Sequence, residues 1–118
     1  MFDIETFRAY CIAKKGVTEE LPFGDDTLVF KVMGKMFALC GINNDPFSMN
    51  LKCDPDQALL LREQYDAVRP GYHMNKLHWN TVIVDGTIPV KALKTMVDES
   101  YALVVAGLPK KLRAALEE

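Results

Sequence analysis

The stretch "PGYHMNKLHWN" (residues 70–80) gathers two His, two Asn, a Tyr, a Trp and a Lys, with no acid. These side chains hydrogen-bond, stack, bind metals or carry protons. His73 and His78 are five residues apart. On a helix that spacing separates them by about 140°, and on a straight strand it puts them on opposite faces. No C-x-x-C and no neighbouring carboxylate completes a zinc shell, so no metal site is expected. A general-base role for His73 or His78 needs a positioned partner, and the sequence names none. Cations that track phosphates, interleaved with aromatic platforms and amides that read base edges, are the ingredients of a nucleic-acid surface. The same residues also suit a polar turn in which Asn75 and Asn80 satisfy backbone groups.

In a strand, Trp79 faces opposite to both of its neighbours. With the indole in the core, His78 and Asn80 point outward as surface donors and acceptors. Lys52 on the wet side of an earlier strand and "PKKLR" (109–113) add cations. The candidate contact set is therefore Lys52, Tyr72, His73, Asn75, Lys76, His78, Asn80, Lys110, Lys111 and Arg113.

Net charge is -2 with a pI of about 5.7, so the whole-molecule field does not by itself advertise a nucleic-acid partner. Distribution matters more than the total. Residues 27–44 and 67–84 contain no acid, and Lys31, Lys35, Arg69 and Lys76 lie within them. Cys11, Cys40 and Cys53 are scattered, which fits a reducing compartment and small buried hydrophobes. No apolar run reaches the roughly 20 residues of a membrane helix. "MFDIETFRAY" lacks the basic leader of a signal peptide, so a cytoplasmic protein is expected. G-x-S-x-G, H-E-x-x-H, P-loop and dinucleotide fingerprints are all missing from the sequence. The chain is expected to be no enzyme, and no cofactor is expected.

At 118 residues the sequence predicts one domain, 1–118. A first helix spans 4–15, capped by Asp3 and ended by Gly16. "VTEELPF" predicts a short edge strand. "TLVFKVM" and "KMFALCGI" predict two strands joined at Met33-Gly34-Lys35, where glycine supplies a positive φ. "FSMNLKC" (47–53) alternates Phe47, Met49, Leu51 and Cys53 with Ser48, Asn50 and Lys52. That is the pattern of an antiparallel sheet covered on one side. Asp54 and Pro55 start a second helix, with Ala58, Leu61 and Tyr65, and Leu59 and Leu60 nearby, on its buried side. "HWNTVIVDG" predicts another strand. Pro89 opens a long helix to about Ala106, buried through Val90, Leu93, Val97, Tyr101 and Val104. Gly107 ends it, and Pro109 starts a short last helix. Strands grouped between helices indicate an α+β fold with helices on one face of the sheet.

The residues "LPFG" (21–24), "VFKVMGKMFAL" (29–39), "NLKCDP" (50–55), "LRE" (61–63), "PGYHMNKLHWNTV" (70–82), "SYALV" (100–104) and "LPKK" (108–111) carry a likeness over nearly the whole length. The chain resembles the YjbR/MmcQ family of small bacterial proteins. The resemblance implies a CyaY-like α+β fold, an antiparallel sheet of about five to six strands. It also implies the family's label of a predicted DNA-binding protein with a "double-wing" motif. It supplies no catalytic residue. Iron binding, which CyaY performs with acids on its first helix, is not expected, because Arg8, Lys14 and Lys15 follow Asp3 and Glu5 here. The alternative to DNA is a protein or small anionic ligand gripped by the same polar turn. An enzyme using His73 or His78 ranks behind both.

Overall fold

The computed structural model describes residues 2–71 and 74–117. In chain order the elements are α1 (Ile4–Ile12), β1 (Val17–Glu20), β2 (Thr27–Val32), β3 (Lys35–Gly41), β4 (Ser48–Lys52), α2 (Pro55–Gln64), β5 (Val68–Pro70), β6 (Trp79–Ile83), α3 (Val90–Ala106) and α4 (Lys110–Glu117). All six strands form one sheet in the order β1-β2-β3-β4-β6-β5, and every neighbouring pair is antiparallel. The fold is α+β, as the sequence predicts. The sequence pattern assigns no residues to the three-residue β5, which completes the upper count of the five to six strands expected.

Local chemistry fixes the joints. Asp3 accepts from Thr6 N at 2.8 Å and caps α1. Met33 and Gly34 both have positive φ, the requirement of a two-residue hairpin turn, and join β2 to β3. Asp54 caps α2 through Asp56 N and Gln57 N, with Pro55 in the first turn.

Register defines the two faces of the sheet. Phe30, Ala38, Leu51 and Asn80 lie in one row, and Leu28, Cys40, Met49, Val82 and Val68 in the next. The helices cover this side. Phe7 of α1 meets Phe30 edge-on at 5.5 Å, and α3 buries Leu93, Met96, Val97, Ser100 and Val104. The β2–β3 register shifts beside Phe30, leaving Phe37 as the extra residue. Phe37 turns to the helices and meets Tyr101 at 5.4 Å.

Ser100 occupies the point where β3 and β4 part. Their pairing reaches Ala38↔Leu51. Next along, Lys52 N donates to Ser100 Oγ at 2.8 Å, and Ser100 Oγ donates to the carbonyl of Phe37. One buried hydroxyl thus completes two strands' hydrogen bonding from a helix.

Two helix faces differ from expectation. Leu59 and Leu60 are 58% and 56% exposed, because α2 docks through Ala58, Leu61, Arg62 and Tyr65 instead. On α3, Val90 is exposed, while Met96 and Ser100 join the buried stripe.

Candidate nucleic-acid interface

Among the described residues no helix packs on the other side of the sheet. Its middle row reads Val29, Leu39, Asn50, Thr81 and Arg69 across β2, β3, β4, β6 and β5. Beside it, Lys52 stands opposite Trp79, and Ser48 opposite Ile83. Thr81 donates its hydroxyl to Asn50 Oδ1, so two polar side chains on adjacent strands hold each other in place. Lys31 and Glu20 pair at 3.2 Å toward the β1 edge. Among the described strand residues of this face, Glu20 is the one acid, against Lys31, Lys52 and Arg69. At β4 and β6 this face carries a half-buried indole beside a lysine, whereas Val29 and Leu39, toward β2 and β3, are buried.

Trp79 is placed there by the loop that precedes it. Gly71 N donates to Trp79 O at 2.8 Å, closing the loop between β5 and β6. A Cβ on Gly71 would lie 2.8 Å from Trp79 Cβ, so only glycine fits this approach. Asn75 Oδ1 accepts from Leu77 N at 2.9 Å, and Asn75 O accepts from Trp79 N at 2.9 Å. Lys76 Nζ donates to Gly71 O at 3.3 Å. His78 is half-buried, and its carbonyl accepts from Cys53 N at 2.8 Å, tying the loop to the end of β4.

The parity of β6 is the reverse of the sequence expectation. Asn80, not Trp79, is in the core row, and it is 2% exposed. Val82 enters the core, and a period of two carries Asn80 in with it. Arg62 makes this possible. Its Nε donates to Asn80 Oδ1 at 2.7 Å, and its terminal nitrogen donates to the carbonyls of Lys76 and Trp79. Asn80 therefore leaves the contact set. Its second polar atom, Nδ2, is buried with no partner, a condition that ordinarily costs about 1–3 kcal/mol.

The remaining candidates divide. Lys52, Asn75, Lys76 and His78 gather at one end of β4 and β6. Tyr72 and His73 lie outside the described residues. Lys110, Lys111 and Arg113 are exposed on α4, which sits on the helix side. Leu116 of α4 packs where a Cβ on Gly16 would fall, beside Met33. That is the β1–β2 side of the sheet, three strands away from β6, so these three cations do not share a surface with Lys52. Residues missed by the sequence reading are Trp79 as a platform, Arg62 as its anchor, and the Asn50–Thr81 pair. The alternation of Asn50 and Lys52 pointed to the open face; nothing local to Arg62 pointed to Asn80.

Comparison with known proteins supplies the lineage. The YjbR family model matches residues 12–103. The chain belongs to the YjbR family. Escherichia coli K12 YjbR is 38% identical over 108 residues, covering 91% of both chains. Escherichia coli O157:H7 YbdF is 43% identical over 91 residues, 76% of this chain and 74% of that one. Both are named as uncharacterized proteins. The crystal structure of the Deinococcus radiodurans protein DR2400, a DUF419 domain, superposes with a TM-score of 0.90 at 40% identity, covering 97% of this chain and 87% of that one. A Pseudomonas syringae protein superposes at 0.72 with 29% identity over 85% of this chain and 97% of its own.

In this YjbR-family chain the thiols are poor nucleophiles. Burial pushes Cys11 and Cys40 up to about 12 and Cys53 up to about 11, so each stays protonated near neutral pH. Among the described residues no group of three His, Cys, Asp or Glu is placed to hold a metal ion. No described helix is long and apolar enough to cross a membrane.

Proposed function

We propose that this YjbR-family protein is a nucleic-acid-binding module that engages DNA on the open face of its sheet. The observation that carries the reading is Trp79 standing opposite Lys52 on a helix-free surface, with Arg69 and the Asn50–Thr81 pair in the adjacent row. A base stacks on the indole, Lys52, Arg69 and Lys76 neutralise phosphates, and the amide and hydroxyl meet base or sugar edges. A surface with one aromatic beside cations favours single-stranded DNA, whose bases are free to stack. The double-wing label of the family resemblance points to the same partner class. The function is binding rather than catalysis.

The test is a titration with short single-stranded and duplex DNA, read by the fluorescence of the chain's lone Trp over a salt series. Three phosphate contacts, from Lys52, Arg69 and Lys76, predict a slope of log affinity against log salt of about -2 for a single strand. Affinity weaker than about millimolar at low salt, or no loss on adding salt, would sink the reading.

A further inference from the structure

The helix side of the sheet holds a second feature, independent of the open face. Helices α2 and α3 leave a cleft of about 390 Å³ between them, the usual size of a small-ligand site. Leu61 and Met96 form its apolar walls. The two helices run in opposite directions along it. Gln64, at the end of α2, lines the cleft with Pro89 and Lys91, at the start of α3. Cys53, just before α2, lines a narrow neighbouring pocket with Glu99. Lys91 therefore stands at one end of the cleft, and Glu99, with Gln57, at the other.

These two charges are too far apart to neutralise each other. Their positions on α3 put them about 12 Å apart along the helix axis. Thr95, one turn from each, is neutral and donates its hydroxyl to Lys91 O. Gln57 and Gln64, across the cleft on α2, are neutral as well. Among the described residues neither Lys91 nor Glu99 makes a side-chain hydrogen bond or an ion pair. An anion alone leaves Glu99 unpaired, and a cation alone leaves Lys91 unpaired. A molecule with an anionic end and a cationic end satisfies both. Roughly three or four residues of extended chain span that distance, and a peptide's free ends supply the two charges. Its N–H and C=O groups also match the glutamine amides, which both donate and accept.

The geometry points to a binding site for a short linear peptide with free ends, lying along the α2–α3 cleft. Its carboxylate pairs with Lys91 and its ammonium with Glu99. Its backbone meets Gln57 and Gln64, and an apolar side chain lies between Leu61 and Met96. No residue of the open face takes part.

The experiment is a ¹³C–¹H NMR titration of the full chain with the tetrapeptide Ala-Ala-Leu-Ala, reading the methyl group of Met96. The N-acetylated and the C-amidated forms of the same peptide are the controls, each lacking one end charge. The free peptide is expected to shift the Met96 methyl saturably, with a dissociation constant in the millimolar range. Each control should bind about threefold more weakly or worse, the scale of one exposed ion pair. Lys91→Gln and Glu99→Gln, both at exposed positions, should give a crossed pattern. Lys91→Gln removes the preference for the free over the amidated peptide and keeps the preference over the acetylated one. Glu99→Gln does the reverse. Equal affinities for all three peptides in the unaltered chain would overturn the proposal. So would the absence of the crossed pattern, or a Met96 methyl that stays unmoved at tens of millimolar peptide.

Discussion

Arg62 donates its Nε–H to Asn80 Oδ1 at 2.7 Å and so fastens α2 to β6 across the helix side of the sheet. The same guanidinium holds the carbonyls of Lys76 and Trp79, which makes it the anchor of the loop. Arg62→Leu is expected to lower the free energy of unfolding by about 2–3 kcal/mol, since it strips a charged donor from a buried amide. Arg62→Lys should recover less than half of that, because a point charge cannot replace a planar fork. Urea unfolding followed by circular dichroism measures both.

Ser100→Ala removes the hydroxyl between Lys52 N and the Phe37 carbonyl. The backbone donor and acceptor are then left unpaired beneath α3. A loss of about 1–3 kcal/mol is expected, with faster amide exchange at Lys52. An unchanged exchange rate there would contradict the bridging role.

Gly71→Ala brings a methyl group to within 2.8 Å of Trp79 Cβ and 3.0 Å of its carbonyl oxygen. The loop must shift, at a cost of about 1–3 kcal/mol. The lone Trp reports the shift directly: its emission should move relative to the unaltered protein, whereas Gly34→Ala, whose Cβ meets nothing within 4 Å, should leave emission in place and act only through turn strain.

Trp79→Ala should weaken single-stranded DNA binding by about tenfold or more, the scale of one lost base–aromatic stack. Lys52→Glu should weaken it and flatten the salt dependence by more than the loss of one phosphate contact. Substituting Lys110 and Lys111 on α4 should change affinity by less than about twofold, since they face away from the platform and act only through screened long-range charge. Competition titrations at fixed salt separate the three cases.

Stability should fall on the alkaline side. Burial raises Cys11 and Cys40 from 9 to about 12 and Cys53 to about 11. Tyr10 rises from 10 to about 12, through burial and then its hydrogen bond to Asp98. All four prefer the protonated form in the folded state. Their contribution is complete below the unfolded values of 9 to 10 and is lost as pH climbs toward 12. Urea midpoints measured from pH 8 to pH 11 should fall increasingly steeply, and replacing Cys11 with Ala should soften the slope.

The elements were legible because short-range rules decide them. The alternation of Met49, Leu51 and Cys53 against Ser48, Asn50 and Lys52 foretold both faces of β4. Met33-Gly34 and Asp54-Pro55 announced a turn and a helix start. The orientation of β6 was not legible. Hydrophobicity alone sends Trp79 inward, and the decision for Asn80 rests on Arg62, eighteen residues earlier in the chain. The same limit applies to "PKKLR". Its charges are plain in sequence, but Leu116 decides where α4 docks, and that contact is with Gly16, one hundred positions away. Leu59 and Leu60 show the converse, apolar residues left outside because α2 touches the sheet along a narrow line.

The two outermost strands carry a consequence for behaviour at high concentration. An open sheet invites another chain to add on at its rim. Here one rim is β5, three residues long and finished by Pro70, which has no N–H to offer. The other is β1, four residues long, with Glu19 and Glu20 tied to Arg8 and Lys31. Neither rim offers a long uncharged ladder. The chain can therefore present Trp79 and Lys52 at high concentration without its sheet rims templating fibrils of its own kind.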